Sequence, residues 1–224
     1  MHFYEELHAP LLHVFTSLPM GAGVEAPVVV APTGLWFGKM PLIIAIDAHS
    51  PAGRKVFGET EAERQANQAF LQAIVPPLSL IGRFVYHQVL PHKMLMYPVA
   101  SYGAPAWERA LLWMAYPLWR FALSKGFGDA PSEIAAAPTS IEAGMDLIEQ
   151  ELQRRGGTPF LSGQSAGGID VVVAGLLSPV IFPANYGGKL PNLADTPETL
   201  RDFVARARAR PAGRLALATY ETAR

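Results

Sequence analysis

The sequence predicts a mainly α-helical protein with a short α/β element at its front. Two observations carry that expectation. β-branched runs separated by turn signals are confined to the stretch before about residue 58. Beyond it, apolar residues recur at helical spacing, and Gly and Pro mark the breaks. The 224 residues are 50% hydrophobic with a formal charge of -1, which is enough apolar side chain for a real core.

The front element is read from three pieces. Pro27-Val28-Val29-Val30 is a strand, Ala31-Pro32-Thr33-Gly34 a turn, and Leu35-Trp36-Phe37 a second strand, together a hairpin. Pro41 suits the first turn of a helix through Ile46, because that position has no use for an N–H. Ser50-Pro51-Ala52-Gly53 and the turn at Gly58 read as a linker. The domain division is therefore 1–58 and 59–224.

The second part reads as a succession of helices. Glu59 to Ile74 is amphipathic, and Pro76 and Pro77 should kink or interrupt it before Leu78 to Leu90 resumes. Pro105 to Ser124 reads as one helix. Its Trp107, Trp113 and Trp119 cannot all share a narrow face, which suits a buried helix or a broad apolar interface. Thr139 and Glu142 form a capping box opening a helix with the apolar stripe Ile141, Met145, Ile148 and Leu152, which Gly156-Gly157 ends. Thr196 caps a further helix with Pro197 in its first turn, and Pro211 divides the last two.

The most informative segment is Thr158 to Pro179, TPFLSGQSAGGIDVVVAGLLSP. Gly167 falls at the N-cap of a helix. Asp170, three residues on, can turn its carboxylate back to the free amides of the first turn. Val171 to Leu177 is apolar on every side, as in a helix in the middle of a domain. Asp170 is accordingly a structural cap first.

This segment resembles the buried core helix of the glutathione S-transferase C-terminal domain. That family writes it as Leu-x-Gly, then Ser/Thr-x-x-Asp, then an apolar run. Leu161-x-Gly163 and Asp170 match, while Gly167 stands where Ser or Thr is usual. Tyr86 to Leu90, Gly103 to Trp107 and Ala184 to Gly188 also look like stretches of bacterial members. The order of a small α/β element and then a helical bundle agrees with that fold. The resemblance implies a glutathione-transferase-like helical bundle preceded by a truncated thioredoxin-like element, whose first strand and first helix are missing.

The same resemblance implies a set of roles. Ala26-Pro27 stands where the family carries a cis Val-Pro, which places the Ala26 backbone against the cysteinyl part of glutathione. Lys39 and Met40 fall near the position of the acidic-Ser pair that holds the γ-glutamyl carboxylate at a helix start. Tyr86 and His87, on a long helix, and Trp113 would line the pocket for a hydrophobic electrophile. A homodimer is implied as well. The activating Tyr, Ser or Cys cannot be assigned. Two activities stay open: thiol attack on an electrophile, or a non-catalytic module that binds an apolar ligand or a protein.

Other classes are disfavoured. The charge offers no footprint for nucleic acid. Zero cysteines exclude disulfides, thiolate metal sites and a cysteine nucleophile within the chain, which fits a cytoplasmic setting. Glu5, Glu6, His8 and His13 match no metal-ligand spacing. Gly163-Gln164-Ser165-Ala166-Gly167 has the letters of a nucleophile elbow, but no histidine follows His92, so the Ser, Asp, His order is impossible. The longest apolar stretches, 110–119 and 171–177, fall short of the roughly 20 residues of a membrane span.

Overall fold

The computed structural model describes residues 28–31, 34–37, 39–52, 55–127 and 130–222. It is mainly helical. Strands β1 (Val28–Ala31) and β2 (Gly34–Phe37) form an antiparallel pair with Val28 opposite Phe37 and Ala31 opposite Gly34. Helix α1 (Lys39–His49) follows. Hairpin and helix fall where the β-branched run, the turn signal and Pro41 put them. The thioredoxin-like element that the resemblance implies reaches back into residues 1–27, which lie outside the described residues.

The bundle begins with α2 (Glu61–Leu78) and α3 (Leu80–Val89). Thr60 and Glu63 form a full capping box: Glu63 N donates to Thr60 Oγ1 (3.2 Å), and Thr60 N to Glu63 Oε2 (3.0 Å). Pro76 and Pro77 do not stop α2. The helix runs through both prolines, and the break comes at Ser79, whose Oγ donates to Pro76 O (2.7 Å). Burial of Ile74, Leu78, Ile81 and Phe84 on both sides of that break outweighs the lost backbone bonds. Glu61 to Val89 is consequently a 29-residue helical run, long and apolar enough by length and composition to cross a membrane, with 39% of its apolar window buried. Counting uninterrupted apolar residues did not find it, because Arg83 and the two prolines divide the letters.

Helix α4 (Lys93–Ala100) was not separated in the sequence. The single helix expected from Pro105 to Ser124 is two, α5 (Ala106–Met114) and α6 (Tyr116–Phe127). The cause is Pro117, which has no N–H for the carbonyl of Trp113. Lys93 Nζ donates to that carbonyl instead (2.8 Å) and lies 3.7 Å from the Trp113 ring centroid.

The capping box at Thr139 and Glu142 is overturned. Helix α7 spans Pro131–Arg154, so both residues sit in its interior. Pro131 at the first position, Glu133 in the first turn and the alanines at 135–137 start it about nine residues earlier than expected. Glu142 is turned towards Arg206 (3.7 Å), and Ser140 Oγ donates to Pro77 O (3.3 Å). The stripe of Ile141, Met145, Ile148 and Leu152 is buried as expected. Gly156 and Gly157 end the helix at φ +91° and +67°, with Gly157 N donating to Leu152 O (2.9 Å).

Helix α8 (Gly168–Ile181) packs against α10 (Pro211–Thr222) and α9 (Glu198–Ala209). Its Val173, Leu177, Val180 and Ile181 are fully buried, but Val171 is half exposed, so it is not apolar-packed all round. Pro179 leaves the carbonyl of Gly175 without its helical donor, and Ser178 Oγ takes that place (2.9 Å). Thr196 does not cap α9. Its hydroxyl donates back to Leu193 O (2.7 Å) and closes a short 3-10 turn.

The linker is built into the bundle. Phe57 is fully buried. A methyl group added at Gly168 would lie 2.5 Å from Val56 Cα and 3.1 Å from Lys55 O. Only glycine allows that approach. Gly168→Ala is expected to lower the stability by about 1–3 kcal/mol, the range for an overpacked site. A urea midpoint unchanged from wild type would show that residues 55–57 do not press on the start of α8.

Candidate functional site

Asp170 is fully buried at the head of α8. Its Oδ1 accepts from Leu161 N (2.7 Å), and its Oδ2 from Gly167 N (3.0 Å) and Ser162 N (3.2 Å). The bond to Gly167 is the reach-back that the spacing predicts. The other two bonds pin the preceding loop, which local spacing does not reveal. Gly167, as cap, supplies an amide and no side chain. A Cβ there would meet Ser162 Oγ at 2.3 Å, which is why the Ser or Thr usual in the resembled family does not fit here without moving Ser162. With all its bonds made to backbone, Asp170 is a structural group and not a chemical one.

Arg155 extends this node. It donates to Leu161 O (3.0 Å), Asn67 Oδ1 (2.6 Å) and Glu151 Oε1 (2.7 Å). Asn67 Nδ2 donates to Phe57 O (3.1 Å), and Phe57 N to Asp47 Oδ1 (3.0 Å). The relay runs from α1 to the start of α8. Hydrogen bonds from Arg154, and then Arg155, hold the Glu151 carboxyl below its ordinary value of 4.5 against the opposing effect of burial.

The residues assigned to glutathione are only partly described. Ala26 and Pro27, with the cis bond expected between them, lie outside the described residues, as do Glu5, Glu6, His8 and His13. Lys39 and Met40 are the first two residues of α1. A helix start was expected there, and its first amides lack intrahelical acceptors.

Tyr86, His87 and Trp113 are not gathered around one cleft. His87 is exposed. Tyr86 is half-buried beside Tyr186, whose ring lies 6.3 Å from that of Tyr220. Burial first, and the neighbouring Tyr186 second, push the Tyr86 hydroxyl up, so it stays protonated at neutral pH. Burial raises Tyr220 as well. Trp113 lines a separate cleft of about 510 Å³ with Tyr97, Ala106, Arg109, Ala110 and Met114. Tyr97 meets Trp113 edge-on at 5.0 Å, and its hydroxyl donates to Arg109 O (3.2 Å).

This cleft is the best candidate site. Its wall is aromatic and apolar, with the Arg109 and Lys93 cations beside it. Sequence reasoning named Trp113 but missed Lys93 and Tyr97. The available signal was Pro117, which frees the Trp113 carbonyl for a donor from another helix. A second cavity, of about 490 Å³, lies between α4 and the 189–195 segment, lined by His92, Met94, Lys189, Asn192 and Asp195 among others. No three His, Cys, Asp or Glu side chains among the described residues are grouped to hold a metal ion. No family model, no curated protein and no solved structure matches the chain.

Asp170→Ala strands three backbone N–H groups, so it should cost about 3 kcal/mol or more, at the upper end for buried unsatisfied donors. Chemical denaturation reads this directly, and a loss under about 1 kcal/mol would remove Asp170 from its central place. Glu151 makes a pH-dependent contribution. Its folded value is depressed, so its stabilisation is full above the ordinary 4.5 and is lost as pH falls through the lower folded value. The melting-temperature gap between wild type and Glu151→Gln should therefore narrow only below pH 4.5. A gap independent of pH would contradict the pairing with Arg154 and Arg155.

Proposed function

We propose that the chain is a glutathione-transferase-like protein, with a glutathione-binding front element and an apolar-ligand cleft in its helical part. The observation that carries the reading is the Asp170 cap, formed at the position that the resembled motif assigns to it. The order of hairpin, helix, docked linker and helical bundle supports it. Glutathione would meet the front element at Ala26, Pro27 and the start of α1 with Lys39 and Met40. The electrophile would sit against Trp113 and Tyr97. Conjugation requires glutathione's thiol as thiolate, stabilised by a donor or a positive field at sulfur. None of the residues discussed is assigned that role.

A second reading, a non-catalytic member that holds an apolar ligand, is favoured by the cleft itself. Lys93 braces Trp113 through its carbonyl and its ring face, so the cleft wall is preorganised with no reactive group on it. Titration calorimetry with glutathione separates the two. Binding with a dissociation constant of about 1 mM or tighter supports the transferase-like reading, and no heat at several times that concentration removes it. Displacement of a fluorescent apolar dye should weaken about tenfold in Trp113→Ala, the size of a lost aromatic anchor. An unchanged dye affinity would take the ligand away from this cleft.

A further inference from the structure

Helices α5 and α6 carry two stripes. Glu108, Leu112, Tyr116, Trp119 and Leu123 are buried against the bundle. Trp107, Leu111, Met114, Leu118 and Phe121 recur at alternating steps of four and three, and all are exposed, from 39% for Leu111 to 73% for Met114. A second apolar stripe on a surface helix pair marks something other than the protein's own core.

On α5 and α6 the exposed charged residues, Arg109, Arg120 and Lys125, are all basic. From 91 to 127 the basic residues are Lys93, Arg109, Arg120 and Lys125. The sole acidic residue in that range, Glu108, is buried. Arg109, Arg120 and Lys125 are exposed. An apolar ridge of Trp, Leu, Met and Phe edged by cations is the chemistry of a helix that lies in the interface of an anionic bilayer.

A second copy of the chain fits less well. A two-fold contact sets a patch against itself, so the basic edge would meet a basic edge. A straight partner helix fits less well too. The stripe crosses the break at Ala115, so its two halves lie on separate helical segments, whereas a fluid surface adapts to both. The most exposed members are Met114 (73%) and Leu118 (70%).

We propose that the α5–α6 face docks the protein onto anionic lipid surfaces, with Trp107, Met114, Leu118 and Phe121 entering the headgroup–acyl boundary and Arg109, Arg120 and Lys125 at the headgroups. This docking is peripheral. It does not rest on glutathione binding, and the protein would dock whether or not it binds that tripeptide.

Vesicle co-sedimentation tests it with the full chain. Binding to vesicles with about 30% phosphatidylserine should exceed binding to pure phosphatidylcholine by about tenfold and fall steeply as salt rises from about 0.1 M to 0.5 M. The Leu118→Glu, Phe121→Glu double variant should lose binding by about tenfold or more while keeping the wild-type melting temperature, because both side chains are exposed. Arg120→Glu with Lys125→Glu should remove the preference for phosphatidylserine. The proposal fails if phosphatidylserine gives no gain, or if the double variant binds as well as wild type. It also fails if sedimentation equilibrium shows a dimer that the double variant splits, since a second copy would then be the occupant.

Discussion

The buried carboxylate of Asp170 is the constraint on which the rest of the structure depends. A charge placed out of water must have its oxygens satisfied, and Asp170 does this with three backbone amides from both sides of the 161–167 loop. Those bonds fix the start of α8. They also fix Leu161, whose carbonyl takes Arg155. Arg155 then reaches Asn67 on α2, which holds the linker at Phe57. One satisfied carboxylate thereby orders a loop, two helices and the link to the front element. Helices α9 and α10 close over the apolar side of α8 that this start orients.

Prolines set the second theme. Six of the helices carry prolines past their first position, and a proline removes the donor for the carbonyl four residues back. The protein answers in two ways. A local hydroxyl replaces the donor at Gly175 through Ser178. At Trp113 a distant Lys93 replaces it, and that replacement also braces an aromatic wall. The candidate cleft is therefore tied to a backbone repair, and its wall is held by the same cation that satisfies the carbonyl.

The chain presents two surfaces of different character. At the cleft, aromatic rings meet edge-on with a hydroxyl and a cation fixed by hydrogen bonds. Along α5 and α6 the apolar side chains project, with cations beside them, which suits an extended and deformable partner. Trp113 and Met114 adjoin both.

Legibility followed the range of the interactions. The hairpin, the helix after Pro41, the cap at Asp170, the glycine stop at Gly156-Gly157 and the stripe from Ile141 to Leu152 were readable, because each depends on residues within a few positions of one another. The start of α7 was misread because a plausible box at Thr139 competed with a weaker signal of Pro131, Glu133 and alanines. The break expected at Pro76 and Pro77 falls at Ser79, because core burial carries the helix through both. The glycine at 168 and the pairing of Lys93 with Trp113 were not readable, since each answers to a segment far away in the chain. By itself the sequence determined the helical character, the cap chemistry and the absence of thiol chemistry within the chain, all of which follow from local hydrogen bonding and composition. The tertiary structure alone decided which apolar stripe is core and which faces outward, because two stripes with the same spacing differ only in what packs against them.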